Sequence, residues 1–245
     1  MMRSLTIAVV FLVTACRMPG TQHWKNLTEK PTLSDWAGDT TYWRMEAGTL
    51  VGEVPADRPL KNNTFLVWQP ALPADFELTA EFRISERGNS GINYRSVTVP
   101  GIPFALRGYQ FDIDGAKRYT GQNYEERGRT TLAYRGEAVT LEDSGSDVDN
   151  LDNGIRNNAW QHRIVRQRLG EEQVLAAKIN TDWNTCRLEA RGNRLRHYVN
   201  GVLMSEVIDN DRSFRRNAGL LGFQLHVGQP MKVEYRHVRL RTFHE

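Results

Sequence analysis

The sequence predicts an all-β domain, a sandwich or jelly roll, and two observations point to it. Apolar residues recur at every second position in many short runs, which is the pattern of strands with one buried face. The clearest run is residues 75–85, where the alternating apolar residues are Phe76, Leu78, Ala80, Phe82 and Ile84. Only residues 171–178 have the pattern of a short helix. Many strands with few helices are typical of two packed sheets.

The remaining strands are predicted in order along the chain. They are residues 49–53, 64–68, 91–95, 109–114, 131–134, 185–191, 194–199, 202–208, 219–226 and 231–241. Gly192-Asn193 and Asn200-Gly201 are turn-prone breaks that would join three of these strands into a meander. Residues 143–158 are rich in Asp, Asn, Ser and Gly, which predicts a long surface loop.

The size and charge of the chain exclude several classes of protein. Its 245 residues suffice for one large β domain or two small ones, and the composition is not that of a disordered or fibrous chain. The net charge of +3 is spread along the sequence, with no basic arm and no acidic tail. Nucleic acid is therefore not expected as a partner.

The N-terminal segment looks like an export signal that ends in a lipid anchor. A positive start precedes an apolar run at residues 5–13, which is too short to span a bilayer as a mature helix. The run ends in Val13-Thr14-Ala15-Cys16, which resembles a bacterial lipobox, where the signal is cut before a cysteine that carries the lipid. We expect an exported protein, anchored by Cys16 at the periplasmic face of the outer membrane or at the cell surface.

This interpretation divides the chain into three parts. They are a signal peptide at residues 1–15, a lipidated tether at residues 16–23 and one β-sandwich domain at residues 24–245. With Cys16 lipidated, Cys186 has no partner for an internal disulfide. Cys186 is in phase with Leu188 and Ala190, so it is predicted to be a buried, small apolar residue.

Many outward-facing residues of the predicted strands carry carboxylate, amide, guanidinium or imidazole groups. They include Glu81, Asn93, Arg95, Gln110, Asp112, Asp114, Gln224 and His226. If the strands are neighbours, these residues share one polar surface, and such a surface suits a sugar, whose hydroxyls need many hydrogen bonds. The alternative is that they are solvated residues with cross-strand ion pairs.

Three positions in this set are candidates for proton transfer or metal binding. Asp112 and Asp114 alternate on one strand, so both carboxylates face one side. His226 shares the polar phase of its strand with Gln224, which disfavours a core histidine. A divalent metal ion held by Asp112, Asp114 and His226 is the only cofactor considered. The charged segment at residues 125–129 is predicted to be a solvated turn or the rim of a site.

Motifs of other enzyme classes are absent from the sequence. It has no G-x-S-x-G elbow, no H-E-x-x-H, no phosphate-binding glycine loop and no paired C-x-x-C. Serine hydrolases, zincins and nucleotide-dependent enzymes are therefore not expected.

Seven motifs, taken in order, resemble those of the 3-keto-disaccharide hydrolase family. They are Asp75-Phe76-Glu77-Leu78 through Glu81-Phe82-Arg83, Gly88-Asn89-Ser90-Gly91-Ile92-Asn93-Tyr94-Arg95-Ser96, Gly108-Tyr109-Gln110-Phe111-Asp112-Ile113-Asp114, Glu126-Arg127-Gly128-Arg129, Trp183-Asn184 through Arg187-Leu188, Gly192-Asn193 through Asn200-Gly201, and Gly222-Phe223-Gln224-Leu225-His226. The resemblance covers nearly all of the chain after the tether. It implies a concanavalin-A-like jelly-roll sandwich and a substrate that is a sugar oxidised at C3.

The resemblance also implies roles for the candidate residues. His226 or Asp112 would be the base that removes the C2 proton, Arg95 or a divalent ion would stabilise the enolate, and Glu126 or Asp114 would be the acid or a metal ligand. The residues expected to bind an oligosaccharide or glycoside substrate are Glu81, Asn93, Arg95, Gln110, Arg127 and Gln224. Many members of the family carry Glu and Gln where this chain has Gln110 and Asp112, so their mechanism does not transfer directly.

Two other functions remain alternatives on the same fold. One is a non-catalytic, lectin-like module that binds surface glycans, because the hairpin at residues 184–201 resembles such domains. The other is a laminarinase-type glucanase, which needs an E-x-D-x-x-E-like strand. Asp112-Ile113-Asp114 does not supply that strand.

Overall fold

Two β-sheets packed face to face make up most of the structure, a computed structural model that describes residues 23–145 and 151–243. The predicted signal peptide, Cys16 and nearly all of the predicted tether lie outside the described residues. None of the helices in the described ranges is long and apolar enough to cross a membrane.

The elements are mostly short strands. The first nine strands are β1 (Lys25–Asn26), β2 (Trp36–Ala37), β3 (Trp43–Glu46), β4 (Thr49–Val54), β5 (Thr64–Trp68), β6 (Phe76–Ile84), β7 (Asn89–Thr98), β8 (Leu106–Asp114) and β9 (Asn123–Glu126). They are followed by β10 (Thr130–Ala133), β11 (Glu137–Leu141), a 3-10 helix (Leu151–Gly154), β12 (Ile155–Arg156), β13 (Ala159–Trp160), β14 (Arg163–Arg168) and helix α1 (Glu172–Ala176). The last are β15 (Asn184–Arg191), β16 (Arg194–Val199), β17 (Val202–Asp209), β18 (Leu220–Leu225) and β19 (Met231–Thr242).

The strands divide into two sheets. The first runs in the order β14-β11-β17-β16-β15-β6-β19-β4-β3, with β1 also paired to β19, and the second in the order β12-β13-β10-β9-β8-β7-β18-β5-β2. Most neighbours are antiparallel, whereas β11 with β17 and β10 with β13 are parallel. In such sheets alternate residues face the core and the opposite, outer surface.

The predicted inward phase of β6 is confirmed. Phe76, Leu78, Ala80 and Phe82 are buried in one large apolar core, and Ile84 at the strand end is half-buried. The second sheet contributes inward residues to the same core, among them Ile92, Tyr94, Tyr109, Phe111, Leu221, Phe223 and Leu225. The all-β sandwich predicted from alternation is therefore confirmed.

The burial of Phe82 in this core leads to a prediction about stability. Phe82→Ala should lower the free energy of unfolding by about 3–5 kcal/mol, because it removes a fully buried ring and leaves a cavity. Glu81→Ala should cost less than about 1 kcal/mol, because Glu81 makes ion pairs with the partly exposed Arg236 and His237. Urea unfolding curves measure both. Equal losses in the two variants would show that the phase of β6 is assigned wrongly.

The other predicted elements are present, with differences at their ends. Predicted strands 64–68 and 194–199 match β5 and β16 at both ends, whereas the helix predicted at 171–178 is shortened to α1. Within the predicted loop 143–158, the structure has the 3-10 helix and β12, and residues 146–150 lie outside the description. Cys186 is buried, as predicted, and burial raises the pKa of its thiol to about 12.

Of the two alternatives for the charged segment at residues 125–129, the solvated turn is wrong, because most of the segment is buried. Glu125 lies in β9, and Arg129 is completely buried. The Arg129 guanidinium pairs with Glu125 at 2.7 Å and Asp209 at 2.7 Å, and it lies 3.5 Å from Asp211. Because these opposite charges compensate one another inside the protein, the charge of the segment does not indicate exposure.

Candidate active-site cleft

The candidate site lies on the outer face of the second sheet, where polar residues of adjacent strands are side by side. Gln110 of β8 pairs with Asn93 of β7 on one side and with Tyr124 of β9 on the other. Asp112 pairs with Gly91 of β7 in the same register. Since directly paired residues face the same side of a sheet, the three strands present one continuous polar surface.

A cleft of about 220 Å³ opens on this surface. Its lining residues are Asn89, Gln110, Asp112, Tyr119, Gln122, Tyr124, Glu126, Asn158 and His226. Four of them, Gln110, Asp112, Glu126 and His226, are site residues predicted from the sequence. A concave surface on which a few polar groups converge is typical of a small-molecule site.

Asp112 is held at the cleft by two side-chain amides. Gln110 donates Nε2 to one carboxylate oxygen at 2.6 Å, and Gln122 donates Nε2 to the other at 2.5 Å. Burial raises the pKa of Asp112 to about 7, the two hydrogen bonds oppose this rise, and the charges of Glu126 and Asp114 add to it. Both protonation states of Asp112 are therefore present near neutral pH, which suits a group that gives or takes a proton.

Further amides connect Asp112 to Glu126. Gln224 donates Nε2 to Gln110 Oε1 at 3.1 Å and to Glu126 Oε2 at 3.3 Å. Asn63 donates Nδ2 to the other oxygen of Glu126 at 3.0 Å. The hydrogen bonds form one connected network, which holds the two carboxyl groups in a defined arrangement.

Gly91 provides the space that this network needs. A Cβ atom at position 91 would come within 2.6 Å of Gln110 Cγ and 2.9 Å of Gln110 Nε2. Any side chain there would displace Gln110, the residue that donates to Asp112. The glycine is therefore required by the close approach of Gln110 to the β7 backbone.

His226 lies directly after β18 and is half-buried at the cleft. Its Nδ1 is 2.6 Å from the carbonyl oxygen of Val227, so Nδ1 is the nitrogen that donates. A neutral imidazole that donates through Nδ1 keeps a lone pair on Nε2, which can accept a proton. His226 is thus outside the core, as predicted from its phase.

Asn93 faces the same side as Gln110 but is completely buried. Neither its Nδ2 nor its Oδ1 has a hydrogen-bond partner in the described part of the chain, and the same holds for Gln224 Oε1. Unused buried amide groups are rare because they cost free energy. Three amide atoms beside the cleft, Nδ2 and Oδ1 of Asn93 and Oε1 of Gln224, can therefore still form hydrogen bonds.

Arg127 lies beside the cleft and does not line it. It follows β9 in the left-handed region, with φ of 53°, and its Nε is 3.9 Å from Glu126 Oε1. Its predicted contact with substrate therefore depends on a ligand that extends past Glu126.

Arg95 is not a cleft residue, which corrects the prediction that it meets the substrate or an enolate. The register of β7 shifts at this position, and Arg95 has φ of 46°. Such a bulge re-aims a side chain. The guanidinium donates to the carbonyl oxygens of Ala74 at 2.8 Å and Gly192 at 2.7 Å and to the Asp75 carboxylate at 3.1 Å. Arg95 therefore ties loops together.

Glu81 is also placed elsewhere, which corrects its assignment as a substrate-binding residue. It belongs to β6 of the first sheet, and its carboxylate pairs with Arg236 at 2.7 Å and with His237 at 2.9 Å. The outer faces of the two sheets are on opposite sides of the sandwich. Alternation predicts the face of the strand on which a residue lies. It does not predict to which of the two sheets the strand belongs.

Asp114 is occupied by its own loop. Its carboxylate accepts the backbone N–H groups of Arg118, Tyr119 and Thr120 at 2.9, 2.8 and 2.9 Å. A carboxylate that satisfies three backbone donors organises a turn. This corrects the prediction that Asp114 is an acid or a metal ligand.

The predicted metal ligands do not form a metal centre. Within residues 23–145 and 151–243, no three His, Cys, Asp or Glu side chains are grouped so that they could hold an ion. The Asp114 carboxylate accepts hydrogen bonds from backbone N–H groups, and both carboxylate oxygens of Asp112 accept hydrogen bonds from side-chain amides. The residues present do not fit a divalent ion at this site.

Gln122 and Tyr124 are cleft residues that the alternation of apolar residues does not predict. Gln122, Tyr124 and Glu126 do alternate in the sequence, but the inward positions between them are Asn123 and Glu125 instead of apolar residues. A strand without apolar residues in its buried phase has no hydrophobic period to detect. The spacing of Gln122, Tyr124 and Glu126 was the only available signal.

The comparison with family models gives one match over most of the chain. The model described as 3-keto-alpha-glucoside-1,2-lyase-like domain matches residues 23–241. This range contains both sheets, apart from the last residue of β19, and every residue that lines the cleft. No curated protein matches the chain.

Several solved structures share the fold. A candidate glycosyl hydrolase of Parabacteroides distasonis has a TM-score of 0.55 at 13% identity, with 90% of this chain and 100% of that chain covered. A Bacillus subtilis protein of unknown function with a galectin-like fold has a TM-score of 0.54 at 12% identity, covering 90% of this chain and 94% of that one. The carbohydrate-binding module CBM66 of Bacillus subtilis has a TM-score of 0.50 at 15% identity, covering 85% and 96%. These identities show the fold alone, and the concanavalin-A-like jelly roll is confirmed.

Proposed function

The chain belongs to the 3-keto-alpha-glucoside-1,2-lyase-like domain family, and on this premise we propose that it cleaves glycosides whose sugar carries a ketone at C3. The observation that carries the proposal is the presence, in one 220 Å³ cleft, of Asp112 with a pKa of about 7 and of His226, whose Nδ1 is held by the Val227 carbonyl oxygen. Two groups poised for proton transfer beside a set of amides suit a sugar substrate.

The proposed reaction follows from the acidity that the ketone gives to the neighbouring carbon. A base removes the C2 proton, and the electrons of the C2–H bond form an enolate with the C3 carbonyl. The enolate then collapses: the C3 carbonyl re-forms, a C1=C2 double bond forms, and the C1–O bond breaks. The electrons of the C1–O bond go to the leaving oxygen, which takes a proton. Water adds across C1 and C2 afterwards and gives the free 3-keto sugar.

His226 is assigned as the base. Its Nδ1–H donates to the Val227 carbonyl oxygen, which fixes the ring and leaves Nε2 to accept the C2 proton. His226 lines the cleft directly after the end of β18.

Asp112 is assigned as the acid that protonates the leaving oxygen. With a pKa of about 7, its carboxyl group is protonated in a large fraction of molecules at neutral pH. Once it has given up the proton, Gln110 and Gln122 donate to the carboxylate and stabilise it. The same carboxylate can then activate water for the addition step. Glu126 contributes through its charge, which helps to keep the pKa of Asp112 high.

Tyr124 and the side-chain amides of the cleft are assigned as the hydrogen-bond donors that stabilise the enolate. Burial and the charges of Glu126 and Asp112 raise the pKa of Tyr124 above its usual value, so the phenol keeps its proton and can donate it in a hydrogen bond. Donors fixed in place before the reaction stabilise developing negative charge. This assignment replaces Arg95 and the divalent ion as enolate stabilisers.

The competing function is a glycan-binding module without turnover, which the same amide-rich cleft would also serve. Incubation of the purified protein with methyl 3-keto-α-glucoside and with unoxidised methyl α-glucoside separates the two functions. Release of methanol from the keto substrate alone is the expected result. Binding of the unoxidised sugar with no turnover of the keto substrate would favour the binding module.

We also propose that the protein is held on a membrane through Cys16, as the lipobox-like Val13-Thr14-Ala15-Cys16 predicts. Cys16→Ala should remove the protein from the membrane fraction or leave it as an uncut precursor. Cell fractionation with detection of the precursor and mature sizes measures this. A variant that is matured and membrane-bound like the wild type would contradict the proposal.

A further inference from the structure

A second, larger cavity lies next to the cleft. This cavity has a volume of about 790 Å³, and Asn89 and Tyr119 line both spaces. Small-molecule sites usually measure roughly 300–1,000 Å³, so the 220 Å³ cleft alone is small for a whole glycoside. The second cavity, on the other side of Asn89 and Tyr119, offers the additional space that a whole glycoside needs.

Tyr119 stands at the junction of the two spaces. Its side chain is 43% exposed, which is high for an aromatic residue in this chain. The Arg118 guanidinium lies 5.6 Å from the centre of the ring. An exposed aromatic face beside a polar cleft offers a stacking surface for the C–H face of a sugar or for another aromatic ring.

The loop that carries Tyr119 is fixed before any ligand arrives. The Asp114 carboxylate accepts the backbone N–H groups of Arg118, Tyr119 and Thr120. From the other side, Arg135 donates to the carbonyl oxygens of Thr120 at 2.9 Å and of Lys117 at 2.8 Å. A platform held in this way loses little conformational freedom when a ligand binds.

The second cavity also offers hydrogen-bond donors. Arg87 and Arg118 line it, and neither guanidinium has a carboxylate partner among residues 23–145 and 151–243. Gln229 and Thr181 supply further polar groups. Free donors around an exposed ring match a ligand that has both a flat face and oxygen acceptors.

We propose that this second cavity, the Tyr119 groove, binds the leaving group of the substrate, and that Tyr119 selects leaving groups that contain a ring. The inference rests on the proposed function for the reacting sugar. The shared chemistry is a ring that stacks on Tyr119, and its source is the second sugar of a disaccharide or an aromatic aglycone.

The test compares Tyr119→Ala and Tyr119→Phe with the wild type on three substrates. These are methyl 3-keto-α-glucoside, 3-keto-trehalose and p-nitrophenyl 3-keto-α-glucoside. Tyr119→Ala should lower kcat/KM about 3- to 10-fold more for a substrate whose leaving group has a ring than for the methyl glycoside. Tyr119→Phe should keep most of the wild-type value. Loss on the trehalose substrate indicates a sugar source, loss on the nitrophenyl substrate an aromatic one, and no selective loss on either overturns the proposal.

Tyr134→Ala is the matched control. Tyr134 is 38% exposed and has the Arg163 guanidinium 4.9 Å from its ring centre, but it lines neither cavity. This variant should match the wild type on all three substrates.

Failure of the groove and failure of the proposed function give different results. If the wild type turns over no 3-keto glycoside, the proposed function fails, and titration calorimetry with unoxidised trehalose and methyl α-glucoside then decides about the groove. Weaker binding of trehalose alone to Tyr119→Ala supports the groove. Equal affinities of wild type and variant overturn it.

Discussion

Asp112→Asn is expected to lower turnover of a 3-keto-glucoside by about 100-fold or more, which is the usual value of a positioned acid or base. Asparagine keeps the shape of the side chain, and its Oδ1 can accept the hydrogen bond of one of the two donors, Gln110 or Gln122. Its Nδ2 faces the other donor, whose amide must turn so that its oxygen accepts. Asparagine cannot transfer a proton at neutral pH. Steady-state rates on methyl 3-keto-α-glucoside measure the loss, and activity within a few-fold of the wild type would remove Asp112 from the mechanism.

The same substitution is expected to change the pH dependence of stability. The pKa of Asp112 rises from its usual value of 3.8 to about 7 in the folded protein because of burial. Between these pH values the native state binds a proton that the unfolded state has lost, so this group's contribution to stability falls as the pH rises from about 4 to about 7. Asparagine does not titrate and avoids that loss.

Urea unfolding at pH 5 and pH 8 measures this effect. The variant should gain stability relative to the wild type on going from pH 5 to pH 8. Because any change in hydrogen bonding that does not titrate is the same at both pH values, it cancels in the comparison. A difference between variant and wild type that does not change with pH would show that Asp112 is ionised in the folded protein as it is in the unfolded chain.

His226→Gln is expected to lower turnover by about 100-fold or more with little change in melting temperature. The side chain is half-buried, and its one hydrogen bond in the described structure is to the carbonyl of the next residue, Val227. His237→Gln is the matched control, because His237 is an exposed histidine paired with Glu81 on the opposite sheet. Full activity in His226→Gln, or an equal loss in His237→Gln, would contradict the assignment of the base.

Alternation in the sequence was sufficient to predict the β-sandwich and three of the nine residues that line the cleft. The inward phase of β6 and the outward positions of Gln110, Asp112 and His226 follow from period two, because an apolar core selects one face of each strand. The pattern fails where the backbone departs from a regular strand. Arg95 has the spacing of a cleft residue, yet its φ of 46° at a register shift turns it away.

Polar groups inside the sandwich are the second reason why the sequence does not predict every strand. His197 is completely buried between the sheets, where its ring nitrogens bond to Tyr94 Oη at 3.0 Å and to the Gln122 carbonyl oxygen at 3.1 Å. Burial lowers the pKa of His197 to about 3, so the ring is neutral. Such partners are brought together by sheet packing, and one sequence does not reveal them. Strand β9, whose inward residue Asn123 contacts Tyr94, was missed for this reason.

The sequence also does not predict the two asparagines that distant segments contribute at the cleft. Asn63 precedes β5 and Asn158 precedes β13, yet one bonds to Glu126 and the other lines the cleft. Both are far from β8 along the chain and become neighbours only through the strand order of the second sheet.

The central claim, abstraction of the C2 proton, is tested most directly by carrying out the reaction in D₂O and examining the released sugar by nuclear magnetic resonance. Elimination followed by addition of water places a solvent deuterium at C2, whereas direct displacement at C1 leaves the original hydrogen there. The account predicts deuterium at C2 of the early product, above the level in free 3-keto-glucose incubated in the same buffer, or release of the unsaturated sugar that lacks a C2 hydrogen. A product that keeps its C2 hydrogen throughout would contradict it.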